Sequence, residues 1–422
     1  MSKSNIFKVI STIITDTFLQ ATFWMFLGTG VLSFGNYLYH VVMGRMLGPS
    51  EYGVLESLIS FSYLLSVPLM TLNLIIVKYV ASYKGHNDYD SISSFYNFLT
   101  KKFMKEGVLL CLLLILLSPL ITSFLHLNSY TYAILLVVFV FTGLFSGLVK
   151  GMLQGLSNFA GLTAVNTVEA ISKIILAVLL VYFGLKSQGG LIGIVVAATL
   201  AFFAARFFLG SINKKNSKQF REGRLIGKYT VPTFFTTLGM TSLFTTDVLL
   251  ARHFLAPEVA GYYAALSILG KVVFFAVSPI TLVMFPFVSE RNSRGEKYSR
   301  IIMLSMILTL LGAGIVILVY YLFPQLVVLT LFGKHFLPIS GFTWMFGIFI
   351  GIYSVCYLVA NFFLSIHKTI PTYFVITASL LQIIAIYFFH NSIGEMIFVS
   401  ISTTFLLLIT LLLYYASAIH RK

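Results

Sequence analysis

Long apolar stretches, broken at short intervals by clusters of polar and charged residues, run the length of the chain. The pattern predicts spans over roughly residues 17–44, 53–80, 103–125, 130–150, 159–184 and 189–211, and again over roughly 230–254, 261–288, 301–323, 339–366, 372–389 and 396–418. Each approaches or exceeds the ~20 residues that one helical crossing of a bilayer core requires. Loops between them are too short to fold a separate domain. The reading is an all-α integral membrane protein of about twelve transmembrane helices.

Composition agrees: 58% of the 422 residues are hydrophobic and only 10% are charged, with a mean hydropathy of +0.95. A net charge of +15 would point to nucleic acid in a soluble protein. Here the basic residues fall in alternate loops, so charge reports topology and no nucleic-acid partner is expected. Of the 28 Lys and Arg, only Arg45, Lys186, Arg252 and Lys334 fall on the outer side, while Lys173 and Lys271 lie within spans. This sorting places both termini in the cytoplasm of a multi-pass protein of the cell membrane. The first apolar run is too long for a signal-peptide core and is expected to stay as a span. Cys111 and Cys356 lie within apolar runs and predict neither a disulfide nor a metal site. No nucleotide-binding glycine loop, metal-ligand spacing or nucleophile elbow stands out, so no catalytic residue, metal or cofactor is expected.

The chain repeats itself. A shift of 208 residues superposes Leu47, Pro49, Gly53 and Leu58 on Leu255, Pro257, Gly261 and Leu266. Proline stops one helix and glycine relieves the next, which is what a tight turn between two spans needs. Pro68 and Pro279 recur in the second and eighth spans, and Pro119 and Pro324 near the ends of the third and ninth. These matches predict two six-helix bundles, 1–211 and 229–422, joined by a basic cytoplasmic linker at 212–228. Six is even, so the bundles enter the membrane in the same sense, related by a pseudo-two-fold axis along the membrane normal.

The turns GRMLGPSEYG (Gly44–Gly53) and ARHFLAPEVAGYYAA (Ala251–Ala265), with KGMLQGLSNF (Lys150–Phe159), resemble the multidrug/oligosaccharidyl-lipid/polysaccharide (MOP) exporter superfamily. Within it, the chain looks like a member of the polysaccharide transporter family of Wzx-type oligosaccharide flippases. The resemblance covers nearly the whole chain. It implies alternating access around a cavity lined by the first, second, seventh and eighth helices, and a cargo of oligosaccharide on a polyprenyl pyrophosphate carrier. An ion-coupled multidrug exporter shares the fold and stands as the alternative, and a membrane polymerase or ligase is a third reading that the short outer loops disfavour. Membrane lipids, met by the basic linker, and a coupling proton or sodium ion are further expected partners.

Charges at bilayer depth cost at least ~2.5–3.5 kcal/mol each and need a reason. Lys271 and Asp247 are expected at similar depth on adjacent antiparallel helices. Either they form a structural ion pair, or Lys271 draws the pyrophosphate of the cargo while Asp247 holds it or exchanges a coupling ion. Glu169 and Lys173, four residues apart, suit a mutual ion pair, with a relay or sugar contact as the alternative. Glu56 is expected to reach the outer interface. Arg45 and Arg252 read as snorkelling anchors or as an outer phosphate gate, Lys78 as an interfacial anchor within reach of a lipid head group, and Tyr262 and Tyr263 as belt residues.

Overall fold

A computed structural model of the chain describes residues 3–210, 227–293 and 296–419, and no strand occurs among them. The basic linker is outside the described residues except at its last positions. The helices in order are α1 Lys3–Gly85, α2 Tyr89–Leu116, α3 Ser118–Phe124, α4 Thr131–Gly155, α5 Phe159–Leu180, α6 Lys186–Leu209, α7 Gly227–Phe254, α8 Pro257–Ser293, α9 Ser299–Leu322, α10 Pro324–Leu331, α11 Thr343–Ser365, α12 Pro371–Phe388 and α13 Ile393–Ile419.

Nine helical stretches among the described residues are long and apolar enough to cross a membrane. Two of them, Leu27–Ala81 (55 residues) and Phe159–Leu209 (51 residues), are too long for one crossing. At 1.5 Å per residue each would reach about 80 Å, against a hydrocarbon core of ~30 Å. Both contain a break. Gly48 (φ 69°, ψ 175°) interrupts α1, and Gly184 (φ 90°) with Lys186 (φ 47°) interrupts the junction of α5 and α6. The pair α2 and α3, bent by 55°, supplies one further span. Division of the two long stretches at their glycines, together with the bent pair, is compatible with the twelve expected crossings.

Polar residues in the turns set the helix starts. Asp88 accepts from the Ser91 backbone N–H at 2.9 Å to cap α2, and Asn158 accepts from the Gly161 N–H at 3.0 Å to cap α5. Both caps fall on the side assigned to the cytoplasm.

Packing divides the chain into two compact units. The first comprises Met1–His40, Leu72–Pro119 and Tyr130–Gly223, and the second Val41–Thr71, Leu120–Ser129 and Arg224–Lys422. In the first, α4, α5 and α6 pack closely together, and Thr163 and Asn166 of α5 donate to the Trp24 and Gly28 carbonyls of α1. In the second, α11 is central, because its sequence is apolar on nearly every face and buries most of its length, from Phe346 to Ser365. Around it lie α7, α8, α9 and α13, with α12 against α7.

Within the second unit the two repeated turns meet. Gly261, at the start of α8, packs on the backbone of Pro49, and a Cβ on Gly53 would lie 2.9 Å from the Gly261 Cα. Backbone faces backbone there, so neither side can yield to a side chain. Replacement Gly261→Val is expected to cost upwards of about 1–3 kcal/mol through overpacking, read as a lower melting temperature of the purified protein in detergent. Gly314→Ala, where a Cβ meets open space, should leave it unchanged.

Candidate functional site

Lys271 lies in the middle of α8 and is 5% exposed, so its ammonium is largely withdrawn from bulk water. Its Nζ donates to Glu56 Oε1 at 2.7 Å, and the Glu56 side chain is fully buried. The ammonium also stands over the ring faces of Tyr63 (5.6 Å) and Phe244 (5.5 Å). A carboxylate and two ring faces thus replace its hydration shell. Two expectations change here. Glu56 turns into the protein and away from the interface, and it is Glu56, on the second part of α1, that pairs with Lys271.

Asp247, 1% exposed, instead accepts from the Tyr263 hydroxyl at 2.9 Å through Oδ2. Tyr263 is therefore not a belt residue, for it is fully buried. Tyr262 alone of the two reaches the surface, where its hydroxyl donates to Glu258 Oε1 at 2.7 Å. Near Tyr263 the Gln382 amide donates to the Ser400 hydroxyl at 3.0 Å. Asp247 Oδ1 and Gln382 Oε1 are both buried oxygens without a hydrogen-bond donor.

Beside Lys271 a cavity of about 270 Å³ opens within the second unit. One wall is α7, presenting Thr237, Thr241 and Thr245; the other is α11, presenting Tyr353, Tyr357 and Asn361. Phe244, Phe274 and Tyr63 complete it near the ammonium. Phe244 and Tyr353 stack with centroids 5.1 Å apart, and Tyr353 and Tyr357 at 6.3 Å. Lys271 is the one charged side chain among the described residues lining the cavity. The Thr237 and Thr245 hydroxyls donate to carbonyls one turn back on α7, at 2.8 and 2.7 Å, and Asn361 donates to the Tyr357 carbonyl at 2.8 Å. The protons of the two threonines are engaged, so their hydroxyls face the cavity chiefly as acceptors, while Asn361 keeps a second N–H to offer. None of these α7 and α11 residues stands out in the sequence by charge, although the steps from Tyr353 to Tyr357 to Asn361 keep one helical face.

The other singled-out residues lie elsewhere. In the first unit Glu169 pairs with Lys150 of α4, and Lys173 donates to Asn36 Oδ1 while lying over the Tyr39 ring at 5.1 Å. The expected Glu169–Lys173 pair gives way because α1 and α4, packed on either side of α5, offer each group a nearer partner. Arg45 is exposed and donates to carbonyls at the end of α10. Arg252 is 5% exposed and does not snorkel; it donates to the Leu125 and His126 carbonyls. Lys78 sits on α1, and its side chain is outside the described residues.

A buried pair is worth most when it is broken. Lys271→Met alone and Glu56→Gln alone should each destabilise by about 3–5 kcal/mol, whereas the double variant should recover much of the loss. Melting temperatures of the four proteins in one detergent read the cycle; additive losses would contradict the pairing.

The sequence matches the family model described as "Polysaccharide biosynthesis protein" over residues 18–292. No curated protein matches it. Solved structures of similar fold include an inward-facing multidrug resistance MATE family transporter of the MOP superfamily, at TM-score 0.74 and 13% identity over 90% of this chain and 94% of that one. The lipid II flippase MurJ in an inward closed conformation aligns at TM-score 0.69 and 13% identity, over 92% and 87%. A MOP superfamily transporter from Pyrococcus furiosus aligns at 0.62 and 14%, over 95% and 96%. At such identities the likeness is one of fold. Its fold is like that of these MOP superfamily structures, and with the family model spanning well over half of its length, this chain belongs to the polysaccharide biosynthesis protein family.

Proposed function

We propose that this protein is a flippase that moves a lipid-linked oligosaccharide, carried on polyprenyl pyrophosphate, across the cytoplasmic membrane by alternating access, for surface polysaccharide biosynthesis. The observation that carries this reading is the cavity beside Lys271: one cation, a wall of acceptor hydroxyls and a wall of aromatic rings. Sugar hydroxyls are donors in need of acceptors, sugar rings present apolar faces to aromatic ones, and a phosphorylated carrier needs a cation. The family and the fold likeness to a lipid II flippase support the same cargo class.

The multidrug exporter is the second reading, supported by the fold likeness to MATE transporters. A cation exporter calls for an acidic lining, whereas Lys271 is the charged lining residue here and Glu56 is engaged with it. Asp247 is outside that lining and suits a different task. Its free Oδ1, with Gln382 Oε1 close to the same buried network, is chemistry suited to a coupling proton or sodium ion. Two six-helix bundles, 1–211 and 229–422, with both termini and the 212–228 linker cytoplasmic, are the arrangement in which this transport would run.

In proteoliposomes holding a fluorescent lipid-linked oligosaccharide, Lys271→Ala is expected to lower the flipping rate by about tenfold or more, the weight of one charge-assisted contact. The Lys271→Gln/Glu56→Gln double variant, free of an orphaned charge, should remain slow, so that lost folding is told from lost binding. Full activity in both would remove Lys271 from the site, and flipping no faster than in protein-free vesicles would remove the function. Asp247→Asn should abolish stimulation by an imposed proton or sodium gradient while flipping without a gradient persists; retained stimulation would contradict the assignment.

A further inference from the structure

Two arginines remain outside this account. Arg45 and Arg252 stand 207 residues apart, one short of the 208-residue shift of the repeated turns, because the second turn carries one more residue between arginine and leucine. Arg45 donates Nε to the Leu331 carbonyl at 3.1 Å and also reaches the Leu329 and Thr330 carbonyls, the last turn of α10. Arg252, in the last turn of α7, donates to the Leu125 carbonyl at 2.9 Å and to that of His126 at 3.1 Å, the residues that follow α3. Beside it the His253 ring nitrogen meets the Phe124 carbonyl at 2.7 Å, and the two rings stack at 4.3 Å.

The same step of 207 carries Phe124, Leu125 and His126 onto Leu331, Phe332 and Gly333. Both short helices then end alike, on a left-handed residue two positions on: His126 (φ 48°) and Gly333 (φ 87°). The contacts are therefore crossed. An arginine of the second repeat grips the short helix of the first, and an arginine of the first repeat grips the short helix of the second. All four pieces lie in the second compact unit, which takes Val41–Thr71 and Leu120–Ser129 out of the first half of the sequence.

The final carbonyls of a helix have no partner within it, and a guanidinium fork satisfies several at once while complementing the negative end of the helix dipole. Such a grip has two settings. Engaged, cation and carbonyls satisfy each other; parted, the buried Arg252 and its carbonyls need water, so its release requires water to enter at that end. Intermediate separations are disfavoured, which is the behaviour of a latch.

We propose that Arg45 and Arg252 are a crossed pair of latches that keep this end of the second unit closed, and that both must release for the cavity to open there. The proposal rests on the alternating-access reading above, in which this end faces away from the cytoplasm.

The test uses the full chain with Cys111→Ser and Cys356→Ala, a reporter Tyr63→Cys in the cavity, and a membrane-impermeant maleimide added outside right-side-out vesicles. Arg45→Ala or Arg252→Ala should each raise the labelling rate by about tenfold, and together by more than either alone. Lysine at either position keeps the charge without the fork and should give an intermediate rate. In the reporter protein carrying Arg45→Cys and Thr330→Cys, joined by a short reducible thiol cross-linker, labelling should stop and return on reduction. Unchanged labelling in the alanine variants, with only the melting temperature lowered, would show plain structural anchors and overturn the proposal; so would full labelling of the cross-linked protein. No cargo enters this measurement, so a protein that labels as expected yet flips no glycan would fault the cargo assignment and leave the latches standing.

Discussion

In a hydrocarbon core no water waits to solvate a stray charge or an unpaired peptide group, and that constraint shapes each polar feature of this protein. Lys271 shows it most directly. Its ammonium is surrounded by the Glu56 carboxylate and the faces of Tyr63 and Phe244, so that a cation persists at a depth where it would otherwise be expelled. Because the pair is nearly neutral as a unit, the cost of burial is offset locally. A phosphate arriving in the cavity would compete with Glu56 for a charge that is already desolvated.

The backbone obeys the same constraint. Chain reversals need non-helical residues, and the breaks at Gly48 and at Gly184 concentrate that irregularity in very few positions. Helix ends that cannot reach water find side chains in its place: Lys84 donates to the Leu156 carbonyl at 2.6 Å, and Arg252 to the carbonyls after α3. Serine and threonine hydroxyls inside the spans return their protons to carbonyls three or four residues back, as Thr245 and Ser354 do. What remains on those oxygens is acceptor capacity. The cavity wall formed by α7 is polar without being short of partners, and it can exchange one neutral guest for another at small electrostatic cost.

Charge placement separates the two units. In the first, Glu169 pairs with Lys150 and Lys173 donates to Asn36, across α1, α4 and α5. In the second, the acidic groups divide between two tasks, Glu56 on the cavity cation and Asp247 on the Tyr263 hydroxyl. Glu56 and Asp247 come from different repeats and sit on different partners, so the two halves of the sequence have diverged in chemistry while keeping the same turns.

The sequence by itself determined the membrane class, the nearly all-helical fold and the repeated turns, because each depends on local composition. Twenty apolar residues must cross, a proline must end a helix, and a glycine must accept a turn, whatever lies alongside. It also marked Lys271 and Asp247 as buried charges that need partners, while it sent Glu56 and Arg252 to the interface. Which partners they take was decided only by the tertiary structure. An ion pair between Asp247 and Lys271 satisfies depth, yet depth leaves the rotation of each helix open, and the packed bundle turns Glu56 toward the lysine and Tyr263 toward the aspartate. The cavity walls were hidden for a related reason: Thr237, Thr241, Tyr353 and Tyr357 are ordinary residues of apolar helices until two faces meet across a gap. Local pattern fixes what a helix is, and neighbours fix where each of its faces points.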